Sequence, residues 1–559
     1  MASCMRSHSH PGVVFVVIFV AVFLLHAPLL QLPYFWDEAG YYIPATRDLL
    51  LAGDVIPHST LSNAHPPLVL AWLALSWKCV GYAPLVTRSA MLVVAAFSLL
   101  GVFRLAERVV DTEVAMASTL CTGLYPVFFA QSSLAQVDLA AAGLTFWALC
   151  AYLEDRPVAV AIWFSLAALA KETAILAPLA LAGWEMLRWL VSKHGRAALQ
   201  GRVMRPEMFG ALAPAVDSNV RRTLPLLLPL VPLMLWYAFH YARTGYIFGN
   251  PEFFHYNVAA TLNPVRFSLA LALRLWQTFG YLHLWWLTLA MFLAMLLPSI
   301  KDDGAERQRI PIPVLMTILV IVAAYVIALA LVGGAVLARY MLPAVPLVII
   351  VAVSTLRRRL RYWPAAVAVV GATFIAAWFW NPPYGFSPED NLAYRDYVVL
   401  HQDAERFLEA RYPMAHVLTA WPASDELTRP WLGYTTRPVQ VVRIDDFSLE
   451  EVLSAADFRQ TDGRQTFEVA LLFSTKYEPP HSLLDRWMPR RSKKWEDRKR
   501  QFFGYHRDLP PAVAAQILGG KIVFSEERKG QWVAVIEMER GEILNAQNTE
   551  GERFSMLPR

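Results

Sequence analysis

Cysteine is scarce, with four residues in 559: Cys4, Cys79, Cys121 and Cys150. They show no metal-ligand spacing and none lies beyond residue 150, so neither a disulfide framework nor a zinc module is implied. Charge is scarce as well, at 17% of the chain against about 25% in an average soluble domain. No Gly-rich loop suited to cradling phosphate occurs, so no nucleotide cofactor is expected; short-period repeats and low-complexity tracts are also missing. What abounds is apolar surface, 56% of residues, and the class is a polytopic α-helical membrane protein. The formal net charge is +5, and the basic residues sit in short loops between apolar runs. That distribution is an orientation signal rather than a nucleic-acid footprint, so no nucleic-acid partner is expected and the lipid bilayer is.

Apolar runs fall at residues 12–32, 84–103, 113–131, 138–153, 158–170, 173–190, 223–241, 279–298, 312–333, 341–356 and 363–380, about 11 spans at about 20 residues per crossing. The first run follows Arg6 and reads as a retained signal-anchor helix, being longer than a signal-peptide core and lacking a small-residue cleavage site. Lys171-Glu172 interrupts 158–190. Reading that stretch as two crossings places Arg104, Arg108, Lys193, Arg196, Arg202, Arg205, Arg221, Arg222, Lys301, Arg307, Arg309 and the Arg357–Arg361 cluster on the side of the N-terminus. The N-terminus is then cytoplasmic and the chain leaves the last span outside, in a bacterial inner membrane with its C-terminal part periplasmic. The first part of 266–298, with Arg274 and Trp276, is expected along the outer interface.

After Trp380 the turn-forming Asn381-Pro382-Pro383-Tyr384-Gly385 opens a stretch of ordinary globular polarity. The expected domains are a transmembrane unit over 1–380, with an outer loop over 33–83, and a soluble α/β domain over 381–559. Strands are expected at Val417–Ala420, Val439–Ile444, Val469–Phe473 and Trp532–Ile536, with helices over Tyr394–Ala410 and Leu483–Phe503. The basic Arg490–Arg500 stretch suits a solvated helix face, with anionic headgroups as the alternative.

The sharpest chemical signal is Tyr34-Phe35-Trp36-Asp37-Glu38, an acidic pair placed at the membrane rim where the first span stops. Carboxylates are costly in hydrocarbon, so such a pair is a candidate site facing a lipid-borne substrate; ordinary helix flanking is the rival. The topology collects other polar residues on the same outer face: His65-Pro66-Pro67, Asp138, Lys171-Glu172 and Arg339-Tyr340. Each has a plain alternative, a helix cap for Asp138, a snorkelling chain for Lys171, a loop residue for His65. Together they suit transfer from a phosphate-linked donor. A carboxylate takes the proton from an acceptor hydroxyl, while cations or a carboxylate-bound divalent metal neutralise the departing phosphate. A transporter or lipid-linked-sugar flippase is the alternative from another class, and an inactive scaffold a third.

Phe35-Trp36-Asp37-Glu38, Ala64-His65-Pro66-Pro67-Leu68, Gln136-Val137-Asp138, Ala170-Lys171-Glu172 and Ala338-Arg339-Tyr340-Met341-Leu342-Pro343 occur in an order, over residues 1 to about 350, that resembles the multi-pass GT-C glycosyltransferases. The likeness is to the bacterial branch related to protein O-mannosyltransferases and to the aminoarabinose transferase of lipid A. It implies a hexosyl or pentosyl transferase of the cell envelope. The donor would be a polyprenyl-phosphate-linked sugar and the acceptor a protein, lipid or glycan. The essential first-loop acid maps to Asp37 and the second to Asp138, with Glu38 beside them as a third catalytic candidate. Lys171, Arg339 and Tyr340 would hold the donor phosphate. His65 and Asn250, the latter within Phe248–Phe254, would line the site, and a metal would draw on Asp37, Asp138 and His65. Two departures stand out. His65-Pro66-Pro67 replaces the Glu-Lys-Pro of the aminoarabinose transferase, and Gly40 replaces an arginine, which argues against an identical substrate.

Overall fold

The computed structural model describes residues 10–200, 213–249, 251, 263–302, 304–332, 334–461, 467–477, 479, 487–503 and 507–539. Helices occupy every one of the apolar stretches: α1 Pro11–His26, α4 Pro84–Val109, α5 Thr112–Leu124, α6 Pro126–Ser133, α7 Asp138–Leu153, α8 Pro157–Ala170, α9 Leu176–Gln200, α10 Ala213–Leu227, α11 Leu230–Thr244, α12 Pro264–Phe279, α13 Leu284–Met295, α14 Ile312–Leu331, α15 Val345–Arg359 and α16 Trp363–Phe379. Among the described residues, six stretches are individually long and apolar enough to cross a bilayer. The pair α5 and α6, bent by 69° where Pro126 removes an amide donor, makes a seventh. Between α1 and α4 lie two shorter helices, α2 Ile43–Ala52 and α3 Leu68–Val80.

The stretch 158–190 is two helices. α8 ends at Lys171, whose backbone is extended (φ −153°, ψ 134°). The turn at Glu154–Arg156 folds α7 against α8 as a hairpin, which returns Lys171 to the start of α7. The basic residues gather at the opposite end. There Arg357 pairs with Asp111 and Glu113, Arg358 with Glu306, and Arg222 with Asp155.

Over 266–298 the stretch is broken at Gly280–His283, with Leu282 and His283 in the left-handed region, and Arg274 is buried within the protein. Its guanidinium donates to the Leu337 carbonyl (2.8 Å) and to Gln277 Oε1 (2.9 Å). An arginine whose donors reach backbone carbonyls and an amide has no need of the water that an interface would supply.

The C-terminal part carries α17 Ala393–Arg411, α18 Ala423–Thr428, α19 Leu449–Thr461, α20 Pro489–Phe503 and α21 Pro511–Leu518 around a five-stranded sheet. With β1 Lys301–Asp302 and β2 Ala305–Glu306 forming a small hairpin among the helices, the sheet strands are β3 His416–Ala420, β4 Gln440–Ile444, β5 Val469–Phe473, β6 Gly520–Arg528 and β7 Gln531–Met538, in the order β4-β3-β5-β7-β6. The first three run parallel and β7 and β6 antiparallel, so the unit is a mixed α/β sheet. The first residues of the expected Leu483–Phe503 helix lie outside the described residues.

Among the described residues, the sheet and the helices share one core. One apolar core runs from Tyr34, Phe35 and Ile43 in the first loop through Tyr397 to Val417 and Val469 in the sheet. Backbone groups are tied across the same junction: Tyr434 Oη donates to the Tyr34 carbonyl (2.9 Å), and Arg429 to the Ser59 carbonyl (2.7 Å). Residues 381–392 turn back onto the helical bundle, where Phe386 and Leu392 are buried.

Candidate active site

Arg339 is the centre of the site. It lies in a short 3₁₀ turn, Ala338–Met341, between α14 and α15, and its side chain is buried. Nη2 donates to Asp37 Oδ2 (2.6 Å), Nε faces Asp138 Oδ2 (3.2 Å), and Nη1 serves Gln136 Oε1 (2.8 Å) and Glu389 Oε2. A planar fork of donors is the group that can hold three carboxylates at once, and lysine could not do so.

Lys171 supplies the second cation. Its Nζ donates to Asp138 Oδ1 (2.5 Å) and lies 3.8 Å from the centre of the Tyr340 ring. Arg274 and Arg339 also approach that ring, at 5.6 and 5.7 Å, so Tyr340 has three cations around it. Asp138 therefore does not cap α7, and Lys171 does not snorkel. Each satisfies the other at the open end of the α7–α8 hairpin, where a buried lone charge would be costly.

Backbone conformation aims the two loop motifs. Trp36 (φ 46°) and Ala64 (φ 59°), each immediately before an expected site residue, hold left-handed backbones that side chains rarely adopt. Trp36 is kept there by Tyr397 and Trp421 at ring distances of 5.7 and 5.2 Å. A π-helical turn, Glu38–Tyr42, follows, a form that recurs at functional positions.

Asp37 and Glu38 part company. The Glu38 carboxylate is fully buried and points away from Arg339, accepting from the backbone amides of Ala135 (2.6 Å) and Phe35 (2.8 Å) and pairing with Arg88 (3.3 Å). Arg88 in turn donates to the carbonyls of Leu32, Pro33 and Ser133, so this pair fixes where the first loop leaves the bundle. Burial pushes the Glu38 carboxyl up, and Arg88 opposes it.

His65 is not brought to Arg339 either. Its Nδ1 pairs with Glu172 Oε2 (2.8 Å) and its ring stacks on Tyr42. Asp37, Asp138 and His65 do not form a metal-sized cluster, and the Arg339 guanidinium fills the space between the two aspartates, so these residues do not fit the metal expected there. Asn250 lies outside the described residues.

The sequence reading passed over Glu389. It lies in a short turn, Pro388–Asp390, ten positions beyond the end of α16, and completes the carboxylate set on Arg339, with Gln136 donating to it (2.9 Å). Beside it Asp390 accepts from Tyr281 Oη (2.6 Å). Burial pushes both carboxyls up, Asp390 further by the charge of Glu389. The signal was available: Glu389-Asp390 is an acidic pair soon after a span, as Asp37-Glu38 is. Arg274, expected along the outer interface, is buried beside Tyr340.

Accessibility separates the three carboxylates on Arg339. The Asp37 side chain is 30% exposed, against 3% for Asp138 and 4% for Glu389.

Residues 64–216 match the family described as dolichyl-phosphate-mannose-protein mannosyltransferase. The fold is similar to that of ArnT from Cupriavidus metallidurans bound to undecaprenyl phosphate, at 13% identity and a TM-score of 0.53 over 94% of this chain and 97% of that one. The apo form of the same protein matches at 16% identity and a TM-score of 0.51, over 94% and 98%. The sequence matches no curated protein.

Proposed function

We propose that this chain, which has the GT-C fold of ArnT, is a membrane glycosyltransferase that takes its sugar from a polyprenyl-phosphate donor. The observation that carries the reading is the accessible Asp37 carboxylate held by Arg339 beside a ring of cations around Tyr340. Base and phosphate clamp stand side by side, as displacement at a sugar carbon requires. The ArnT structure that contains undecaprenyl phosphate and the family matched by residues 64–216 both favour a lipid-phosphate sugar as donor.

In this reading Asp37 takes the proton from the acceptor hydroxyl. The acceptor oxygen bonds to the anomeric carbon as the bond from that carbon to the phosphate oxygen breaks, and the lipid phosphate leaves with the electron pair. Lys171, Arg274 and the Tyr340 hydroxyl receive the phosphate. Asp138 and Glu389 act through other groups: Asp138 orients Lys171 and Arg339, and Glu389 anchors Arg339 from below. Glu38 is a positioning residue through Arg88, and His65 shapes the loop wall through Tyr42. No step passes through a metal at Asp37.

The orientation we propose has the site and the sheet outside a bacterial inner membrane and the basic ends in the cytoplasm, as the clustering of Arg221, Arg307 and Arg357 near the opposite end suggests. The protein purified in detergent, incubated with radiolabelled polyprenyl-phosphate hexoses and pentoses and with envelope glycan, lipid or peptide acceptors, is expected to transfer label from one donor. Asp37→Asn is expected to lower that rate by about 10²- to 10⁴-fold while the protein remains folded. Equal rates for the two proteins would overturn the role of Asp37; no transfer from any donor, with intact envelope glycans in cells lacking the protein, would overturn the activity.

A further inference from the structure

We propose that His401, Glu405 and Glu426 form a divalent transition-metal site that pins α17 to α18 behind the loop bearing Asp37. His401 and Glu405 stand one turn apart on α17, and Glu426 reaches them from α18. Their ligand atoms lie within 4.8 Å of one another, and all three side chains are essentially inaccessible. His401 Nδ1 is 2.6 Å from Glu426 Oε2 and 3.8 Å from Glu405 Oε1.

Hydrogen bonding does not account for this cluster. Glu405 meets no N–H donor and its carboxyl faces only the Glu426 carboxyl and the more distant His401 ring, while Glu426 Oε1 and His401 Nε2 have no donor or acceptor partner. No lysine or arginine pairs with either carboxylate among the described residues. Two buried carboxylates beside one imidazole leave negative charge that the interior cannot solvate. A proton shared between the glutamates is one remedy, but a single proton leaves further acceptor atoms unmet. A divalent ion neutralises both carboxylates and takes lone pairs from all three residues. One imidazole nitrogen with two carboxylate oxygens is a donor set suited to Zn²⁺ or Mn²⁺.

The surroundings assign the ion a structural role. Tyr397 stacks on the His401 ring at 3.9 Å and Phe473 meets it edge-on at 4.5 Å, so aromatic rings wall the imidazole on two sides. Tyr397 also touches Phe35 at 5.1 Å and Trp36 at 5.7 Å, and Trp421, just before α18, packs on Trp36. The ion would therefore hold the two helices whose aromatic residues fix the strained backbone in front of Asp37.

The test does not use transferase activity and is independent of the proposed function. The full chain in detergent is stripped with chelator, equilibrated with Zn²⁺ or Mn²⁺, desalted and assayed for metal by mass spectrometry and for thermal unfolding. One ion per chain is expected, with Tm several degrees higher in the metal-loaded than in the stripped protein. Glu405→Gln and Glu426→Gln are expected to lose the ion while keeping their helical circular dichroism. Wild-type protein that takes up neither metal, or whose Tm does not respond, overturns the site, and this comparison decides even if the variants do not fold. Retention of the ion by both variants overturns it too. Absence of metal together with a Glu405→Gln protein as stable as wild type would assign the shared proton instead.

Discussion

Arg339 Nη2 donates to Asp37 Oδ2 across 2.6 Å, although the two residues are 302 positions apart in the chain. The same guanidinium carries Asp138 and Glu389, so its shape matters as much as its charge. Arg339→Lys keeps one positive charge but cannot reach three carboxylates at once. We expect it to lower transfer by at least about 100-fold, a loss on the scale of one misplaced charge-stabilising group. Arg339→Ala leaves the carboxylates facing one another and is expected to destabilise the fold by about 3–5 kcal/mol. Steady-state rates and thermal unfolding in detergent measure the two effects, and a lysine variant with wild-type rates would remove Arg339 from the site.

Glu38 and Asp37 are neighbours with different work to do. Glu38→Gln removes the charge that balances Arg88 in a fully buried setting, and the cost of breaking such a pair is about 3–5 kcal/mol. The expected result is a lower Tm with turnover per folded molecule close to wild type. A variant that melts normally and turns over slowly would return Glu38 to the chemistry.

Gly40 explains its own place in the sequence. A Cβ there would overlap the indole of Trp421, so an arginine at this position has no room while that tryptophan covers the loop. Gly40→Ala is expected to cost about 1–3 kcal/mol by overpacking. In combination with Trp421→Ala the penalty should shrink, because the clashing atoms are gone. Additive losses in a double-mutant cycle would show that the two residues do not meet.

Asp390 sets a pH dependence. Burial, then the charge of Glu389, raises its carboxyl in the folded chain to about 8, well above the ordinary carboxylate value. The folded protein thus holds a proton that the unfolded chain releases. The stability from this group is complete below the unfolded value and is lost as pH rises toward the folded one, at up to about 1.4 kcal/mol per pH unit. Asp390→Asn cannot titrate and still accepts from Tyr281. It should flatten the fall in Tm between roughly pH 4 and pH 8 and melt no lower than wild type at the upper end. An unchanged slope would place the proton elsewhere.

The helices and most of the sheet could be read from the chain because apolar runs of the right length and strands buried on both faces leave strong patterns; Val469–Phe473 is apolar throughout and lies at the centre of the sheet. β6 was missed because it is an edge strand, half exposed and carrying Lys521, Glu526, Glu527 and Arg528. At the site, Asp37, Asp138, Lys171, Arg339 and Tyr340 come together as motifs at span ends. What the pattern could not convey was direction. Nothing in Asp37-Glu38 says that one carboxylate turns to Arg339 and the other to Arg88. Likewise Glu389-Asp390 looked like the start of a separate domain, because turn residues beyond a last span carry no hint that the chain folds back.

The junction between the first loop and the sheet also sets a timetable. Asp37 waits for Arg339, Tyr34 for Tyr434 and Ser59 for Arg429, partners that lie roughly 300 to 400 residues downstream. At about 5–20 residues per second the ribosome needs on the order of tens of seconds to deliver them. A nascent chain, or one cut short before Arg339, thus sits in the membrane with its acidic loop unassembled, and the carboxylate set on Arg339 is complete only after Glu389 has been made.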